Sequence, residues 1–76
     1  MAIKELDIIR TTVPLDGPDV FDDARIHHLP IGSQGTVIEV WNNGEAYEVE
    51  FSIGDPAGDF RSVMIPVARD NVEAIR

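Results

Sequence analysis

Residues 46–52, Ala-Tyr-Glu-Val-Glu-Phe-Ser, place an apolar side chain at every second position from Tyr47 to Phe51, with glutamates between. Successive side chains of an extended chain point to opposite faces, so Tyr47, Val49 and Phe51 share one face and Glu48 and Glu50 the other. A helical period would scatter both kinds around the axis, so the segment reads as a half-buried strand whose outer face is acidic. Asn42-Asn43-Gly44 stands just before it. Asn-Gly favours a type I′ hairpin turn, whose two central residues need positive φ, and that turn makes residues 36–41 the antiparallel partner. Within the partner Val37 and Val40 are three apart. A β-bulge near Ile38 and Glu39 lets both valines face inward.

The flanks extend the same pattern. Residues 6–13 are rich in β-branched side chains and stop before Pro14, which has no N–H to give a central ladder. Residues 14–32 contain Pro14, Gly17, Pro18, Pro30 and Gly32 with four aspartates between. They read as one long connection, with a single helical turn over residues 19–24 capped by Asp19. Gly32 and Gly35 flank a tight turn that needs positive φ, and Gly54-Asp55-Pro56-Ala57-Gly58 is a second turn cluster. Residues 60–67 read as a fourth strand, residues 68–71 as a 3-10 turn and residues 72–75 as a short last strand. The chain is 76 residues long, which allows one domain. The expectation is an all-β fold: a small five-stranded SH3-like barrel over residues 1–76, with one long early loop and a 3-10 turn before the last strand. Closing the sheet hides edges that would otherwise pair with other chains.

Leu6-Asp7-Ile8-Ile9, Gly32-Ser33-Gln34-Gly35-Thr36-Val37 and Gly44-Glu45-Ala46-Tyr47-Glu48-Val49-Glu50-Phe51 together resemble a family of short bacterial proteins, domain-of-unknown-function family 4926. The stretch from Gly32 to Phe51 is the most specific part, and the chain departs from the family pattern around residues 20–28. The resemblance implies an SH3-like barrel and brings no established activity; it also suggests a bacterial inhibitor or antitoxin type of protein. Residues 25–37 are more distantly similar to the SH3-like part of nitrile hydratase beta-type subunits, which implies an accessory or assembly subunit of an enzyme complex. The Gly-x-x-Gly-x-Val core is similar to RNA-binding SH3-like motifs as well.

Charge bears on that last similarity. The net charge is −8. Residues 11–60 hold Asp16, Asp19, Asp22, Asp23, Glu39, Glu45, Glu48, Glu50, Asp55 and Asp59 against the single base Arg25. Nucleic-acid binding needs cations to displace counterions from phosphates, so this middle section argues against nucleic acid. No cysteine is present, so there is neither a disulfide framework nor a thiolate metal site. No apolar run approaches the ~20 residues of a membrane span, and the first residues lack the apolar stretch of a signal peptide. The expected location is the cytoplasm, with no membrane partner.

Catalytic patterns are not apparent. Ser33 and Ser52 lack a Gly-x-Ser-x-Gly elbow, no lysine follows Gly32 and Gly35 as a phosphate loop requires, and a core this small can hardly spare the ~300 Å³ of a ligand pocket. His27 and His28 are adjacent, so on an extended chain they point to opposite faces and do not grip one metal; one ring is expected to be exposed and the other packed. Asp16, Asp19, Asp22 and Asp23 offer oxygens for weak calcium binding but not at EF-hand spacing; a solvated acidic loop is the plainer reading. Tyr47 is expected in the core. Trp41, beside the turn, either caps the barrel or is partly exposed as an interface anchor. The reading is a non-enzymatic, cofactor-free protein-binding module. Trp41, Glu39, Glu48, Glu50 and the aspartates Asp16, Asp19, Asp22 and Asp23 would dock a protein with a basic surface. Edge pairing through the first strand would allow a homodimer.

Overall fold

The computed structural model describes residues 2–54 and 61–75. Seven strands follow in order: β1 (Ile8–Thr11), β2 (Leu15–Pro18), β3 (Ile26–Leu29), β4 (Gln34–Trp41), β5 (Ala46–Ile53), β6 (Arg61–Ala68) and β7 (Val72–Ala74). Short 3-10 turns at Asn42–Gly44 and Arg69–Asn71 join β4 to β5 and β6 to β7. Five strands form one antiparallel sheet in the order β6-β5-β4-β1-β7, and β2 and β3 form a separate hairpin.

The middle of the chain folds as its alternation dictates. Tyr47, Val49 and Phe51 are buried, and their β6 partners Val67, Ile65 and Val63 lie on the same inner face. Ile9, Val37, Leu29 and Val72 complete the core, with Ile3, Leu15, Val40, Ile53 and Ile65 packed around it. The β4–β5 register shifts between Val37 and Glu39. That bulge is where the valine spacing placed it: Val37 is buried, Val40 packs on the core and Ile38 stays exposed. The hairpin turn is longer than a type I′ turn. Trp41 pairs with Ala46, leaving four residues between, and Asn42, Asn43 and Gly44 all take positive φ.

Three expectations are corrected. Residues 14–32 are not one loop: Leu15–Pro18 and Ile26–Leu29 pair in register from Leu15–Leu29 to Pro18–Ile26. In place of a helical turn capped by Asp19, the tip is a set of tight turns in which the Asp19 N–H donates to Arg25 O and the Arg25 N–H to Asp22 O. Second, the sheet does not close. β6 and β7 are its outer strands, and the β2–β3 hairpin covers the core beside β6, with an isolated bridge from Asp19 to Val63. Third, β1 has no free edge for a dimer, because it lies between β4 and β7.

Two glycines have different reasons to be glycine. Gly32 sits at φ +90, as its turn requires, whereas Gly35 is needed for close approach: a Cβ there would lie 2.6 Å from Val49 Cγ1. The 3-10 turn and last strand fall within a residue of the expected 68–71 and 72–75. Most of the second turn cluster, and Phe60, lie outside the described residues.

Candidate functional site

The glutamates singled out by alternation come together on the outer face of the sheet. Glu39 on β4 stands directly opposite Glu48 on β5, and Glu50 follows on β5 opposite Thr36 of β4 and Met64 of β6. Like charges directly opposite on a sheet repel. No ion pair among the described residues relieves them, since the pairs formed there are Arg10–Glu73, His27–Asp19, His28–Asp16 and Arg69–Asp70. One oxygen of Glu48, Oε1, is buried with no hydrogen-bond partner among the described residues. Trp41, at the end of β4, is 41% exposed and so serves as a partly open apolar surface, while Tyr47 is core. Ile8, Ile38 and Met64 are exposed large apolar residues on the same sheet, on β1, β4 and β6.

The aspartates are elsewhere, on the β2–β3 hairpin. Its inner side meets the core face of β6, where Gly17 lies against the side chains of Val63 and Ile65. The chain thus carries two acidic regions on different sides of the sheet, not one continuous surface. Asp16 pairs with exposed His28 across the hairpin, with Oδ1 and Nδ1 2.5 Å apart. Asp22 accepts the Ala24 N–H through Oδ1, and Asp23 is exposed.

Asp19 is not on the surface. Its side chain is buried, Oδ2 lies 2.8 Å from His27 Nε2, and Oδ1 accepts the Phe21 N–H at 2.8 Å. The hydrogen bond from His27 holds the Asp19 carboxyl below the usual carboxylate range. Burial opposes this, while the Phe21 N–H and the Arg61 charge add to it. As their adjacency on an extended chain suggested, His27 packs and its neighbour His28 is exposed. Among the described residues no group of three or more histidine or carboxylate side chains converges to hold a metal, and no helix is long and apolar enough to cross a membrane.

Two features escaped the sequence reading. Val20, Phe21 and Ile26 form an exposed apolar group at the hairpin tip, Phe21 being 69% exposed. A hollow also opens on the outer face, lined by Ile8, Gln34, Gly35, Thr36, Glu50 and Ser52. An apolar residue near each strand end was the only available signal for the first. The second depends on strand register, which composition does not carry.

A family model described as a domain of unknown function, DUF4926, matches residues 5–58, more than two thirds of the chain. Neither a curated protein nor a solved structure matches it.

Proposed function

Because the chain belongs to the DUF4926 family, whose description gives no sign of catalysis, its surfaces must supply the reading, and we propose a non-catalytic protein-binding module. Its acidic outer sheet face docks a protein with a basic surface. The observation that carries this is the Glu39–Glu48 pairing, two like charges held opposite each other and unrelieved by any cation among the described residues. A fold keeps such repulsion at a cost in stability, and a cationic partner removes it. Exposed Trp41 and Ile38 beside the pair supply apolar anchors of the kind that dominate interfaces, while the charges speed encounter. The strand order, the hairpin between β1 and β4 and the 3-10 turn before β7 support an SH3-like assignment for the module. An inhibitor or antitoxin of a basic enzyme in the cytoplasm is one concrete form.

The test is affinity capture from extracts of the source cells with the tagged chain and with a Glu48→Lys/Glu50→Lys double variant. A basic protein held at low salt, released at high salt and lost from the double variant is the expected result. Capture indifferent to both salt and the double change overturns the proposal.

A further inference from the structure

The outer-face hollow has a volume of about 310 Å³, and the strand register explains it. The β4–β5 ladder ends at Thr36–Glu50. Beyond that pair, Gly35 and Gln34 turn to β1, opposite Ile9 and Arg10, while Phe51, Ser52 and Ile53 continue on β6. The sheet parts there, and Gln34, Thr36, Glu50 and Ser52 are left around the opening with Ile8 beside them.

We propose that this hollow is the subsite for a single arginine side chain. The proposal rests on the docking reading above and names what the basic partner inserts. Glu50 has no ion pair among the described residues. The hydroxyls of Thr36 and Ser52 and the carboxamide oxygen of Gln34 add acceptor capacity around the carboxylate. Arg10, on neighbouring β1, is already tied to Glu73 through its Nε. Exposed Ile8 gives the methylene stem of an arginine an apolar surface to lie on. A carboxylate flanked by several neutral acceptors matches a planar guanidinium with five donors better than an ammonium with three. Glu39 and Glu48 on the same face add to the negative potential that draws a cation in.

The test is a titration of the ¹⁵N-labelled chain, followed through its amide resonances, with N-acetylarginine methylamide as the probe and the neutral citrulline analogue as its isostere. The amides of Gly35, Thr36, Glu50 and Ser52 are expected to shift saturably with the arginine probe and not with citrulline. Glu50→Gln, a change at a half-exposed position, is expected to weaken the response about tenfold, the size of one lost charge-assisted hydrogen bond. Thr36→Val is expected to weaken it less. Equal shifts with citrulline, an unchanged titration in Glu50→Gln, or shifts spread evenly to Asp22 and Asp23 overturn the subsite. The two proposals fail separately. Salt-sensitive capture that survives Glu50→Gln but is lost with Glu39→Lys/Glu48→Lys overturns the arginine subsite and leaves the docking face standing. A specific arginine response without any charge-dependent capture supports the hollow and overturns the docking face.

Discussion

Asp19 and His27 meet at 2.8 Å with the carboxylate fully enclosed and the imidazole 11% exposed, and this contact anchors the tip of the β2–β3 hairpin where it reaches β6. Asp19 bridges Val63, and the Val20 N–H donates to Ser62 O. An ionised carboxylate only accepts hydrogen bonds, so the proton between the two side chains sits on His27 Nε2. The hairpin has no extended ladder to the large sheet, so this anchor, the packing of Gly17 on β6 and Leu29 in the core carry its attachment.

Asp19→Asn should therefore loosen the hairpin at neutral pH, and the pH dependence identifies the cause. The folded-state carboxyl is held below its ordinary value, chiefly by the hydrogen bond from His27. A depressed carboxyl pKa contributes stability above the unfolded value of about 3.9, and that contribution is lost as pH falls through the folded value. The native chain should lose stability steeply below about pH 4. The Asn variant should be less stable at pH 7 and show a shallower acid limb. Urea midpoints between neutral and acidic pH check both, and parallel acid limbs would remove Asp19 as the source.

Gly17→Ala probes a second part of the attachment. An added Cβ would come 2.4 Å from Val63 Cγ1 and 3.0 Å from Ile65 Cγ2. Overpacking of this kind costs about 1–3 kcal/mol. In a Val63→Ala background the obstructing methyl is gone, so the glycine change should cost markedly less there. A double-mutant cycle in urea measures the coupling, and additivity would mean that Gly17 does not press on Val63.

These contacts explain why the hairpin was not legible in the sequence while β4, β5, β6 and β7 were. Period two over Tyr47–Phe51 and the three-residue valine spacing are local signals, and both translated directly into a strand and a bulge. The hairpin has no local signal of that kind. Gly17 interrupts any alternation, Pro14 and Pro18 read as breakers, and the aspartates read as solvated loop. Its order comes from Leu29 in the core, Gly17 on β6 and the Asp19–His27 contact, all tertiary. The site divides the same way. Glu48 and Glu50 were placed on the outer face by alternation, but the opposition of Glu39 to Glu48 and the hollow beside Glu50 depend on the register on either side of the bulge.

Leu6 occupies a backbone conformation that suits another residue. Its φ is +69, the residue is 77% exposed, and its N–H donates to Val37 O at 2.7 Å. Left-handed φ costs an ordinary residue about 1–2 kcal/mol, and asparagine tolerates it better. Leu6→Asn should raise stability by about 0.5 kcal/mol, and β-branched Leu6→Val should lower it by about 1 kcal/mol. Thermal melts of the two variants give opposite signs if backbone strain governs the position; loss of stability in both would mean that leucine contacts matter more.

Glu39→Lys joins stability to function. It replaces repulsion opposite Glu48 by attraction, and directly opposed charge pairs on a sheet differ by about 0.2–1 kcal/mol. The variant should be more stable than the native chain at low salt, and the gain should shrink as salt is added, because exposed charges are screened. If the acidic face is kept for docking, the same change should weaken salt-sensitive capture of a basic partner. Urea unfolding at low and high salt, run beside the capture experiment, reads both effects. A stabilised variant that still captures its partner undiminished would mean that the Glu39–Glu48 repulsion is not maintained for that partner.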